Sequence, residues 1–177
     1  MGETILVLGG SRSGKSGLAA RLAGEAPPVT FVATATVDLA DAEMTTRVAR
    51  HRAERPADWT THEVPRDLEA ILPNLVAVGG SVLIDCVTLW LSNLMLGLGG
   101  GPALDESAIL AAVNRAAGAA RGRARVIWVS NEVGSGVVPT NALARRFADV
   151  QGLANQRLAA ACDAVHLCVA GLSLRLK

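Results

Sequence analysis

One stretch near the N-terminus limits what this chain can fold into more than any other. Thr4-Ile5-Leu6-Val7-Leu8 is a run of β-branched and apolar residues that reads as a buried parallel strand. It runs straight into Gly9-Gly10-Ser11-Arg12-Ser13-Gly14-Lys15-Ser16, which matches G-x-x-x-x-G-K-S, and Gly17 to Ala23 continues as helix. Strand, glycine-rich loop and helix in this order make a P-loop. The glycines let the backbone curl until its N–H groups point inward, at the start of a helix, where phosphate oxygens can accept them. In such a loop Lys15 reaches the β- and γ-phosphates and the Ser16 hydroxyl holds Mg²⁺.

The 177 residues suit a single domain spanning 1–177, and half of them are hydrophobic, enough for a substantial core. The formal net charge is +1 and the basic residues are scattered, so no electrostatic surface for nucleic acid or membrane is expected. The N-terminus carries no basic segment followed by a signal-peptide core. The most apolar later run, Cys86 to Leu98, includes Ser92 and Asn93 and is too short to span a bilayer, so a soluble cytoplasmic protein is expected. Cys86, Cys162 and Cys168 lack metal-ligand spacing and lie among apolar residues, as buried reduced thiols do.

Beyond the P-loop the pattern alternates strand and helix: an α/β domain, mostly parallel, with helices on both faces. Val29 to Ala33 makes a second strand ending in Thr34-Ala35-Thr36, which is either ligand-facing or an ordinary hydroxyl-lined turn. From Asp41 the period becomes helical. Met44, Val48 and His51 share one face, and Arg47, Arg50, Arg52 and Arg55 surround the histidine. An inward-facing imidazole ringed by guanidinium groups suits a polyphosphate, while a satisfied core histidine is the plainer alternative. Thr60 to Val64 reads as a short strand carrying Glu63, which either accepts hydrogen bonds from a base or ribose or is a solvated edge carboxylate.

Pro65 to Leu75 is expected as a helix burying Leu68, Ile71, Leu72 and Leu75. Ser81-Val82-Leu83-Ile84-Asp85 is an apolar strand ending in a carboxylate, the Walker B pattern, with Asp85 contacting Mg²⁺ or capping the next helix. Cys86 to Leu98 is so apolar a helix that it must be central or covered by another subunit. A helix from Asp105 to about Arg121 and a strand from Arg125 to Ser130 follow. Asn131 to Pro139, with its polar groups and glycines, is then a ligand-facing loop or a structural turn. Thr140 is placed to cap the last helix, with Leu143, Phe147, Val150, Ala154 and Leu158 as its core stripe. Ala164 to Ala170 is a final buried strand, and Leu172 to Leu176 alternates as an antiparallel edge strand would.

These motifs together resemble the bifunctional adenosylcobinamide kinase and adenosylcobinamide-phosphate guanylyltransferase family of cobalamin biosynthesis. The resemblance is carried by Gly9 to Ser16, Glu43-Met44 through Arg47 to His51, Arg55-Pro56, Asn131 to Gly134 with Val137-Val138-Pro139, and Asn155-Gln156-Arg157-Leu158-Ala159, over nearly the whole chain. It implies a RecA-like P-loop fold and two reactions. Adenosylcobinamide is phosphorylated with ATP or GTP, and GMP then passes from GTP to that phosphate through a guanylyl-histidine, releasing pyrophosphate. His51 matches the histidine. The nucleotide contacts fall on Gly9, Gly10, Ser11, Arg12, Ser13, Gly14, Lys15 and Ser16, on Thr34, Ala35 and Thr36, on Arg52, Ala53, Glu54 and Arg55, and on Glu63 and Asp85. Where some members have a histidine pair this chain has Arg50-His51, and where some have Glu at the end of the Walker B-like strand it has Asp85. The resemblance also implies a homotrimer. Two other readings of the P-loop stand beside it: a simple small-molecule kinase without histidine chemistry, and a nucleotide-gated assembly module.

Overall fold

The structure is a computed structural model and describes residues 2–36, 52–53 and 55–177. Met44, Arg47, Val48, Arg50, His51 and Glu54, and with them the expected helix from Asp41, lie outside the described residues.

Among the described residues seven strands join one sheet in the order β3-β2-β4-β5-β1-β6-β7. They are β1 (Thr4–Gly9), β2 (Val29–Ala33), β3 (Thr60–Glu63), β4 (Ser81–Asp85), β5 (Arg125–Asn131), β6 (Ala164–Val169) and β7 (Leu172–Arg175). All pairings are parallel except β6 with β7, which is antiparallel. β1 lies between β5 and β6, and near-continuous apolar sequence is what a strand covered on both faces requires. Leu6 joins a core on one face with Trp90, Leu68, Ile109, Val150 and Leu158. Ile5 and Val7 point the other way, towards Leu18, Ala19 and Ala23 of α1 (Lys15–Gly24), together with Phe31, Leu83 and Ile127.

The larger core is roofed by α2 (Leu68–Val78), α3 (Val87–Leu96), α4 (Glu106–Ala119) and α5 (Ala142–Ala161). Four expectations about these helices are corrected and one alternative is decided. The second helix begins at Leu68, not Pro65, because the Pro65 and Arg66 carbonyls accept hydrogen bonds from Asn93 Nδ2 and Trp90 Nε1 of α3 and so form a strap. Its buried stripe is Leu68, Leu72 and Val76, with Pro73 on the exposed side. The apolar α3 is central: Trp90 and Leu91 are fully buried within this chain. The last helix is capped by Asn141 rather than Thr140, with Asn141 Oδ1 accepting from the Ala144 N–H at 3.1 Å. Its core stripe starts later than the spacing suggests. Val150, Ala154 and Leu158 are buried, Phe147 is half-buried and Leu143 is exposed, as are all residues of the helix before Phe147.

Candidate active site

Parallel register brings the carboxyl ends of the strands together. Gly9 stands opposite Asn131 of β5 and Cys168 of β6, while Asp85 pairs with Ala33, which itself pairs with Glu63. The P-loop, the Walker B-like carboxylate and the Thr34-Ala35-Thr36 segment therefore share one edge, the crevice where open α/β sheets bind ligands.

The loop from Gly9 to Ser16 has the backbone that phosphate binding needs. Gly14 is left-handed, with φ 94°, and Arg12 has φ 56°, which turns successive peptide N–H groups to one side. Gly14 at the N-cap offers α1 no side-chain acceptor, and the N–H groups of a helix's first turn are donors that suit an anion. The loop carbonyls, which would repel phosphate, have donors elsewhere. Gly9 O accepts from Glu132 N at 3.2 Å, Gly10 O from Lys15 Nζ at 3.0 Å, and Ser13 O from Gly171 N at 2.9 Å. A Cβ on Gly9 would come within 2.7 Å of the Cys168 carbonyl, so only glycine fits where β1 leaves the sheet.

Beside α1 the smaller core opens into a cleft of about 250 Å³ lined by Ser16, Phe31, Arg55, Pro56, Trp59 and Asp85, among others. Phe31 and Trp59 stack with centroids 6.4 Å apart, and the Arg55 guanidinium lies 3.7 Å above the Phe31 ring. Burial pulls the Arg55 pKa down, and the nearby Asp85 carboxylate opposes that shift. Two polar atoms here are buried without partners among the described residues, Ser13 Oγ and Arg55 Nε. Burial, then Asp85, pushes the Cys86 thiol up to about 11, so it stays protonated at neutral pH and is no nucleophile.

The expected site residues have different positions. Lys15, Ser16, Arg55 and Asp85 converge on this edge; Lys15 and Asp85 both act electrostatically on Cys86, and Ser16, Arg55 and Asp85 line one cleft. Glu63 is exposed on edge strand β3 and pairs with Arg52, so these two stand at the rim. Thr34 departs from the expectation that its hydroxyl faces a ligand. It is fully buried, its Oγ1 donates to Cys86 O at 2.8 Å and accepts from Cys86 N at 2.9 Å, and it holds the tip of β4. Thr36 donates to Asn93 Oδ1 at 3.2 Å.

Three groups of residues are not legible as site components from spacing. Asn93, buried in an apolar helix, donates to the Thr34 and Pro65 carbonyls; a lone polar residue in such a helix was the available signal. Arg66, 8% exposed, donates to the carbonyls of Asn93, Leu98 and Pro102 and so fixes the glycine-rich loop after α3. Gln151 and Asn155 form a buried network with Ser130, and Asn155 Nδ2 reaches the Asn131 carbonyl at 3.1 Å, bracing the strand end beside the P-loop. The Asn131-Glu132 segment thus has a structural role.

No group of three or more His, Cys, Asp or Glu side chains among the described residues could cage a metal. One serine hydroxyl and one carboxylate on a single cleft do fit Mg²⁺, which keeps several waters and takes phosphate oxygens as ligands.

Comparison with known proteins gives both a fold likeness and a family. In solved structures the fold is like that of a prototypical ATPase from the type III secretion system of pathogenic bacteria, with TM-score 0.59, 13% identity and coverage of 99% of this chain and 57% of that one. It is also like P4 protein from bacteriophage phi6 in complex with ADP, with TM-score 0.50, 16% identity and coverage of 97% and 54%. The chain spans about half the length of those two proteins, and the likeness is one of fold. Two relatives match over nearly their whole length. The bifunctional adenosylcobalamin biosynthesis protein CobU of Salmonella typhimurium is 42% identical over 98% of this chain and 99% of its own. The corresponding protein CobP of Pseudomonas aeruginosa is 45% identical over 97% and 96%. The family model described as cobinamide kinase / cobinamide phosphate guanyltransferase matches residues 5–176. With its P-loop, β4 carboxylate and arginine-lined cleft on one sheet edge, the chain belongs to that family.

Proposed function

We propose that this edge performs both reactions of the family. The observation that carries the reading is the convergence of the Gly9–Ser16 cradle, Arg55 and Asp85 in a chain matched to the family over residues 5–176. In the first reaction the acceptor hydroxyl of adenosylcobinamide attacks the γ-phosphorus of ATP or GTP. The bond from the γ-phosphorus to the β,γ-bridging oxygen breaks, and the nucleoside diphosphate leaves as the hydroxyl loses its proton. The loop N–H groups and Lys15 hold the phosphate oxygens as charge shifts towards the leaving group. In the second, a neutral nitrogen of His51 attacks the α-phosphorus of GTP and pyrophosphate leaves. An oxygen of the cobinamide phosphate then takes the GMP from the histidine.

Ser16 and Asp85 would hold Mg²⁺, which supplies charge neutralisation on the phosphates when bound. Arg52 and Arg55 follow His51 in sequence, and guanidinium groups suit a leaving pyrophosphate. Trp59 and Glu63 are available to a base and ribose at the cleft's rim. A homotrimer, implied by the family resemblance, and a cytoplasmic location, expected from the sequence, belong to the same proposal. Among the described residues no helix is long and apolar enough to cross a membrane.

The test uses GTP labelled at the α-phosphate. Wild-type protein is expected to carry label through acid-labile linkage. His51→Ala should carry none while still phosphorylating cobinamide, and Lys15→Ala should lose both activities by at least about a hundredfold. An unlabelled wild-type protein under active conditions would refute the covalent route. Retention of either activity at full rate in Lys15→Ala would move the chemistry away from the P-loop.

A further inference from the structure

The last strands of the chain close a hairpin whose turn rests on the phosphate loop. Ala170 and Gly171, between β6 and β7, both have positive φ, 52° and 81°, as a two-residue hairpin turn requires. The Gly171 N–H faces the P-loop and donates to the Ser13 carbonyl at 2.9 Å. A Cβ on Gly14 would lie 3.0 Å from the Gly171 α-carbon, so the two backbones touch without side chains between them. Ser13 is itself buried. The contact therefore falls on the residue just before the peptide groups that start α1.

Without a donor, the Ser13 carbonyl is free to rotate about its peptide plane. That rotation carries the Gly14 N–H with it, since carbonyl and following N–H belong to one rigid unit. Anchoring the Ser13 oxygen outside the site thus fixes the direction of a phosphate-binding donor inside it. Preorganised donors lose no reorganisation energy when the anion arrives.

We propose that Gly171 is a positioning residue for nucleotide binding: the Ala170–Gly171 turn clamps the P-loop through Ser13 O and the Gly14 α-carbon, so the C-terminal hairpin sets the affinity of the triphosphate cradle. The proposal rests on reading Gly9–Ser16 as a phosphate cradle and is independent of the histidine chemistry. The substrate it affects is any nucleoside triphosphate the loop holds, so both reactions should respond alike.

Cys168 makes a clean experiment possible. Residues 168–177 can be synthesised and joined at Cys168 to a 1–167 thioester by native chemical ligation, giving the full chain. An ester in place of the Ala170–Gly171 amide deletes the Gly171 N–H and adds no side chain. The control is an ester at Leu174, which pairs with Leu167 in the same hairpin far from the loop. ATP binding is measured by calorimetry on each refolded protein. Loss of one net hydrogen bond predicts roughly three- to tenfold weaker ATP binding for the ester at 171. The control should bind within twofold of the all-amide ligation product.

Recombinant variants read the same point without ligation. Space beyond Gly171 is open, so Gly171→Asn, which tolerates positive φ and keeps the N–H, should retain affinity. Gly171→Val, whose branched side chain disfavours that φ, should raise the KM for nucleotide severalfold in both reactions while the kcat ratio between them stays constant. The proposal is overturned if the ester at 171 binds ATP as tightly as the all-amide chain, or if the ester at Leu174 weakens binding equally. Failure of the guanylyl-transfer reading would leave these ATP affinities unaffected.

Discussion

At the scale of single residues, two titratable groups beside β1 and on β6 carry a pH signature. Asp163 accepts from the Thr4 N–H at 2.8 Å and the Thr4 hydroxyl at 2.7 Å, and these bonds hold its carboxyl below the usual range. A depressed carboxylate pKa stabilises the fold above the unfolded value, about 3.9, and that contribution is lost as pH falls through the folded value. His166 is also depressed, by burial first and then by Arg175. The unfolded chain therefore takes up that proton first, and stability falls as pH drops below about 6.5. Asp163→Asn should flatten the acid limb of a Tm against pH curve near pH 4 and leave the limb near pH 6 unchanged, whereas His166→Gln should do the reverse. Trp59 gives a second residue-scale test. Trp90 and Trp128 are buried in or under the sheet, so a nucleotide-induced change in fluorescence should come from Trp59 in the cleft and vanish in Trp59→Phe. A full-sized signal in that variant would place the base elsewhere. Of these residues, the apolar ones and the P-loop were readable from spacing. Thr34 was not, because a hydroxyl at a strand end has the same sequence whether it meets a ligand or the Cys86 backbone.

Elements depend on polar side chains that tie them across the fold. Arg66 sits in the strap before α2 and gives its guanidinium to three carbonyls, at 2.8, 2.9 and 2.8 Å, on α3 and the loop after it. Arg66→Met keeps the aliphatic stem but leaves those carbonyls without their donor. Orphaned buried acceptors cost about 1–3 kcal/mol each, partly recovered by relaxation, so a total loss of roughly 2–4 kcal/mol is expected in urea unfolding. A loss under half a kcal/mol would mean the loop re-pairs with solvent. The helix periods found α4 and most of α5 because their buried stripes recur at helical spacing. They overextended α2 at its start and misplaced the core part of α5. Helical spacing marks which side of a helix is apolar, but where the sheet beneath it ends is a property of the assembled layers. Leu143 shows this: it is in phase with Val150 and Leu158 and yet is exposed.

For the whole molecule, two cores share one sheet, and β1 feeds both through Leu6 on one face and Ile5 and Val7 on the other. With every described strand in that sheet, unfolding should be a single transition, with far-UV circular dichroism and tryptophan fluorescence giving coincident urea curves. Two separated transitions would mean that the edge strands form an independent unit. The sequence by itself determined the α/β class, the phosphate loop, the strand-tip carboxylate Asp85, the antiparallel last strand and the family resemblance. All of these reside in local pattern: a period, a glycine where the backbone must curl, a charged residue at the end of an apolar run. The tertiary structure alone decided which distant residues meet. Strand order puts Asn131 and Cys168 on either side of Gly9, folds Phe31 and Arg55 against each other, and sets Gly171 on Ser13. Such contacts join residues far apart in the chain through backbone groups that every residue carries, so no side-chain pattern announces them.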